Sequence, residues 1–171
     1  MRPDAAKHGP TARLSGWLGV FQTEGTHTMT STVFKSLTDT TFDSVEGYRK
    51  AAEKADNPQL EQALNQRCQQ REQTLRQMNA QLEQQGEELV TKGTVAGEAH
   101  QMWASITSAF EENDEAAAQR VEEGEDYIAK KFSEALESDQ LEAQERQVVQ
   151  QVYDEIRQGE RFGDVIAHQQ S

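Results

Sequence analysis

The residues in this chain best placed to do chemistry are carboxylates set into apolar helical stripes. In the stretch Val121 to Phe132, the apolar residues Val121, Ile128 and Phe132 repeat at helical spacing, and Glu125 falls on the same side between them. A carboxylate in such a position needs a buried base, a metal ion, or a helix rotation that brings it to the edge of the core. Counting from the expected helix turns puts Glu46 level with the segment Arg67 to Arg71, and Glu125 level with Val152 to Glu155. Glu46, Arg67, Arg71, Glu72, Glu122, Glu125 and Glu155 are therefore candidates for one mid-molecule polar layer, with Tyr48 close by.

Two chemistries suit such a layer. A di-iron or di-manganese carboxylate centre takes a glutamate from each of two helices and a Glu-x-x-His cassette from each of the other two, so Glu46, Glu72, Glu122, Glu125 and Glu155 are the candidate ligands. The cassette positions read Glu72-Gln73-Thr74-Leu75 and Glu155-Ile156-Arg157-Gln158, without histidine. Arg71 on the same stripe also puts a positive charge where the metal would sit. The second chemistry is a structural ion-pair layer formed by Arg71, Glu125, Glu46 and Tyr48, and the sequence favours it. No cofactor is expected on this reading; iron or manganese belongs to the alternative.

Other reactive side chains offer less. His100 has Glu98 and Trp103 as neighbours but no second ligand one turn on, which suits a core-edge or capping histidine that joins Trp103 in anchoring a crossover segment. Cys68 lies on an apolar stripe without a neighbouring histidine and reads as a packed thiol. No Ser/His/Asp or Cys/His arrangement and no nucleotide-binding glycine loop is present, so no catalytic residue is assigned.

The elements that must position these groups are helices. Of 171 residues 35% are hydrophobic, enough for one domain core, and the composition is rich in Gln, Glu and Ala with three prolines. Helix one is expected from about Thr30 to Ala55 and helix two from Pro58 to about Gln85, joined by the tight Asp56-Asn57-Pro58 reversal, with Gly86 as C-terminal cap. Val95, Ala99, Met102, Trp103, Ile106 and Phe110 mark a shorter helix three. Asp114 is available to cap helix four, expected from Glu115 to Glu137, and Ser138-Asp139 to cap helix five, expected from Gln140. Gly159 and Gly163 weaken the last third of helix five, which is expected to fray or bend before a polar tail from His168. The expected architecture is all-α: a four-helix bundle of two long helical hairpins with a shorter crossover helix, occupying residues 30–168. Residues 1–29 show no sustained period and are expected to be a disordered extension, or an artefact if Met29 is the natural start.

The formal charge of −13 repels nucleic acid and anionic membrane surfaces, so neither is an expected partner. The island Leu14 to Phe21 is too short and too glycine-rich to span a membrane, and a single cysteine suits a reducing cytoplasm. A homo-oligomer or a protein partner remains.

Three segments read together carry a resemblance: Asp43 to Glu53 (DSVEGYRKAAE), Thr94 to Trp103 (TVAGEAHQMW) and Glu122 to Asp126 (EEGED). They resemble an uncharacterised bacterial family of ferritin-like four-helix-bundle proteins classed as a domain of unknown function, over about Ser31 to Phe162. The resemblance implies a ferritin-like fold and no established activity. Family members often carry a histidine late in the last helix, where this chain has Gly159. The expectation is a non-enzymatic cytoplasmic bundle protein, stress-related by loose analogy with other ferritin-like proteins, acting by self-association or through a protein partner. The alternative is a metal-binding oxidoreductase or iron-handling protein.

Overall fold

The computed structural model describes residues 30–94 and 97–170, with side chains described as far as Gly159. The expected N-terminal extension, Val95, and the side chains of Phe162 and Ile166 lie outside the described residues. Five helices follow in order: α1 (Thr32–Lys54), α2 (Pro58–Gln84), α3 (Glu98–Ala109), α4 (Asp114–Glu137) and α5 (Ala143–Gln170). Among the described residues there is no strand.

Local chemistry sets each helix end. The Ser31 hydroxyl accepts from the Phe34 amide at 3.0 Å and starts α1, whose buried residues Phe34, Leu37, Thr41, Val45 and Tyr48 step by three and four. Asn57 accepts from the amides of Gln59 at 2.8 Å and Leu60 at 3.0 Å, and Pro58 occupies the first turn of α2. At the other end of α2, Gly86 takes φ 77°, the Gly86 amide reaches Glu83 O at 3.0 Å, and the Glu87 amide reaches Leu82 O at 2.9 Å. This paired closure needs the left-handed conformation that glycine adopts without strain.

Two caps differ from the sequence expectation. Asn113, not Asp114, caps α4, its side chain accepting from the Ala116 amide at 2.7 Å. Asp114 instead turns to the α1–α2 loop and accepts from the Asn57 amide at 2.6 Å, tying the two hairpins at one end. Helix α5 begins at Ala143 rather than Gln140, because Ser138 closes α4 and Leu141 is buried within the turn. Its first turn is closed by Glu145, which accepts from the Glu142 amide at 3.1 Å. The helix also continues past Gly159 and Gly163 to Gln170, so His168 is helical rather than part of a tail. Two glycines cost propensity, yet they do not break a helix already committed to packing along one side.

Helices α1 and α2 pack as one hairpin and α4 and α5 as the other; α2 also meets α5, and α1 meets α4. The four long helices thus close a ring of contacts, and α3 lies across α1 and α4 on the outside. The shared core includes Phe34, Leu64, Met78, Ile128, Phe132 and Val152, each fully buried. The crossover from α2 to α3 is held by Asn79, which accepts from the Val90 amide at 2.8 Å and donates to its carbonyl at 3.0 Å.

Candidate functional site

Half-way along the ring, Tyr48 on α1, Arg71 on α2 and Glu125 on α4 converge with exposures of 1%, 2% and 1%. Arg71 Nη2 donates to both Glu125 oxygens, at 2.9 and 3.0 Å, and Nη1 donates to the Ser44 hydroxyl at 2.8 Å. The Tyr48 hydroxyl donates to Glu125 Oε1, and the Arg71 guanidinium stands 5.6 Å from the centre of the Tyr48 ring. The carboxylate therefore accepts from one charged donor and one neutral donor, with the Arg67 charge acting on it as well. Burial opposes the charge on Arg71, but the neighbouring Glu125 outweighs it and holds the guanidinium firmly cationic. Burial, then the Glu125 charge, pushes the Tyr48 phenol well above its ordinary range, so it stays a donor.

Among the described residues, helix α5 faces this centre with a glycine. A Cβ added to Gly159 would lie 2.8 Å from both Glu125 Oε2 and Arg67 Nη1. Arg67, one turn from Arg71 on α2 and nearly buried, occupies the room that the missing side chain leaves, and burial lowers its pKa. Residue counting had placed Val152 to Glu155 opposite Glu125. The later start of α5 and the tilt of side chains toward the N-terminus of α4 move the carboxylate opposite Gly159 instead.

The remaining candidates of the polar layer do not join this centre. Glu46 pairs with Arg49 near the surface, and Arg49 reaches across to Glu72 at 2.8 Å. Glu155 is exposed on α5 and accepts from the Thr74 hydroxyl at 2.7 Å. Glu122 is half-buried on α4. The structure thus brings together Tyr48, Arg71 and Glu125 from the sequence-derived layer and leaves Glu46, Glu72, Glu122 and Glu155 outside it. Among the described residues no group of three or more His, Cys, Asp or Glu side chains could hold a metal ion. This donor set does not fit a di-iron or di-manganese centre, because a guanidinium holds both oxygens of Glu125, the one carboxylate among the described residues that enters the central cluster. Ser44 and Arg49 went unrecognised from sequence, although Arg49 stands at the i+3 spacing of a helical ion pair with Glu46.

A second buried carboxylate, also missed, lies at one end of the bundle. Glu145 is fully buried and accepts from the Ser31 amide at 2.9 Å, the Ser31 hydroxyl at 2.6 Å and Gln85 Nε2 at 3.0 Å, besides the Glu142 amide. Burial pushes its pKa up, but these hydrogen bonds outweigh burial and hold it below the ordinary value. The signal in the sequence was the Glu142-x-x-Glu145 spacing at a helix start.

The expected crossover anchor divides in two. Trp103 is 4% exposed, and its ring lies where a side chain on residue 47 would be, 2.0 Å from a Cβ built on Gly47. Its centroid is 4.6 Å from that of Tyr48, which links α3 to the central layer. His100 is exposed on the rim of a cleft between α1 and α3, and Gly97 rather than a side chain begins α3, so His100 neither caps nor packs in the core.

Among the described residues, five helices, ringed contacts and a charge-paired centre define an all-helical fold. A family described as a domain of unknown function (DUF2383) matches residues 29–138, nearly two thirds of the chain, and the protein belongs to that family. The match covers α1 to α4 and stops at Ser138, before α5. No curated protein and no solved structure matches the chain. Among the described residues no helix is long and apolar enough to cross a membrane.

Proposed function

We propose that this protein is a non-enzymatic, ferritin-like four-helix bundle of the cytoplasm that acts by associating with a second copy of itself or with a protein partner. The observation that carries this reading is the closed network at the centre, where Arg71 and Tyr48 occupy the oxygens that a metal or a proton-transfer step would need. The ferritin-like assignment is supported by the ring of four long helices and by the crossover, bearing α3, that separates the hairpins. A charge of −13 directs association toward protein surfaces with basic character rather than toward phosphate backbones.

Metal analysis of the full chain, purified under reducing conditions with added ferrous iron or manganese, tests this directly. The reading expects far less than one metal per chain and a molar mass, measured by light scattering, that does not change with metal. About two metals per chain, as a dinuclear carboxylate centre requires, lost in Glu125→Ala, would overturn it.

A further inference from the structure

The cleft between α1 and α3 has the composition of a ligand site rather than of a packing fault. Its volume of about 550 Å³ falls within the range of small-molecule sites. Phe42 and Trp103 give it aromatic walls, Asp43 and Glu46 line it from α1, and Lys50 and His100 stand at its edge. The charges are not equally answered. Glu46 is paired with Arg49, an exposed contact on the outer face. Asp43 is 6% exposed and, among the described residues, accepts from the amide of Thr94, at 3.0 Å, and from its hydroxyl, both neutral donors. Among the described residues no cationic side chain forms an ion pair with it. Its charge is felt at Asp39, whose carboxyl is raised by burial and then by Asp43. Lys50 lies seven residues on, about 10 Å along the helix, with Glu46 between them.

A second and independent observation concerns Trp103. Its indole Nε1 is buried and, among the described residues, has no hydrogen-bond acceptor, although the ring forms part of the cleft wall. Buried N–H groups are normally satisfied, so an indole N–H without an acceptor, on a ring that lines a cavity, is a demand that an incoming molecule can answer.

We infer that the α1–α3 cleft binds a small aromatic ammonium compound, its cationic nitrogen on Asp43, its ring against Trp103 and Phe42, and an acceptor on the ligand for the Trp103 N–H. A cation held by a carboxylate beside aromatic walls gains the charge-assisted hydrogen bond and the attraction of a nearby ring quadrupole. The cleft is lined by other residues than the Arg71–Glu125 centre and is linked to it through the Trp103–Tyr48 ring contact.

Calorimetry and amide NMR on the full chain test this with tyramine, its neutral alcohol counterpart tyrosol, and the anion 4-hydroxyphenylacetate. Tyramine should bind and shift the resonances of Thr94, His100 and Trp103, with tyrosol about tenfold weaker, as the loss of one charge-assisted contact implies, and the anion weaker still. Asp43→Asn, which keeps the shape and an acceptor for the Thr94 amide, should erase the preference for tyramine over tyrosol. Ala104→Trp, placed on the exposed side of the cleft, should block all three compounds without touching Asp43. Equal binding of tyramine and tyrosol, stronger binding of the anion, unchanged binding in Ala104→Trp, or no binding of tyramine would each overturn the inference.

Discussion

Glu125 and Glu145 are both fully buried, yet the bundle handles their charges by different means. In the middle, Glu125 is answered by a full positive charge, with Arg71 on both oxygens and Tyr48 on one. At the end, Glu145 is answered, among the described residues, by four neutral donors drawn from Ser31, Gln85 and the start of its own helix. The difference follows position. At helix termini the backbone has amides without intrahelical acceptors, so a carboxylate there finds donors already in place. At mid-helix every amide is committed to the ladder, and only side chains can neutralise a charge. Loss of one member therefore does different damage at the two places.

The largest effect is expected at the centre. Glu125→Ala leaves the Arg71 guanidinium buried without its charge partner, at a cost of about 3–5 kcal/mol in denaturant unfolding. A cost below about 1 kcal/mol would mean that water or another carboxylate takes over.

Gly159→Ala probes the same centre from α5. The added Cβ would press on Glu125 Oε2 and Arg67 Nη1, both at 2.8 Å, and two buried charged ends have little room to yield. Overpacking of this kind should cost about 1–3 kcal/mol, whereas alanine on an open helix face would stabilise by helix propensity. A gain in melting temperature would show that Arg67 can move away freely.

Glu145→Gln should cost about 1–2 kcal/mol near neutral pH, since it removes the charge from a set of charge-assisted hydrogen bonds but keeps the shape. Its pH dependence sharpens the contrast. The folded-state pKa of Glu145 is depressed, so its contribution is present above the unfolded value of about 4.3 and is lost as pH falls through the folded value. The gap between wild type and Glu145→Gln should therefore close on acidification. A gap constant from neutral pH down to strong acid would show that the charge of Glu145 plays no part.

The smallest effect belongs to the surface carboxylates. Glu46→Ala loses an ion pair with Arg49 whose two side chains are 45% and 41% exposed, and should change stability by no more than about 0.5 kcal/mol. A larger loss would place Glu46 in the central layer after all.

The same contrast explains how far the sequence could be read. Period and turn chemistry were legible: the α1–α2 reversal at Asn57-Pro58, the Gly86 closure and the inward stripe of α4 stand where the pattern put them. That Arg71 and Glu125 belong to one buried polar layer was also legible, because both lie on apolar stripes where an unpaired charge is untenable; whether Arg71 meets Glu125 or Glu46 was not. What the sequence could not resolve was rotation and register finer than one turn. Glu46 and Glu155 share levels with the centre but face away from it, and the later start of α5 together with the tilt of side chains along α4 puts Gly159, not Glu155, against Glu125. Glu145 and the open N–H of Trp103 depend on contacts between residues more than forty positions apart or on the absence of any, which no local pattern encodes.

A double-mutant cycle between Arg71 and Glu125 tests the central claim most directly. Arg71→Met and Glu125→Leu, alone and together, are compared by urea unfolding at neutral pH. Each single change leaves the other charge buried, while the double change removes both desolvation penalties at once. The pair should therefore show an interaction energy of at least about 1–3 kcal/mol, with the double variant recovering much of the loss. Effects that add within about 0.5 kcal/mol would contradict the account, because the two side chains would then not depend on each other.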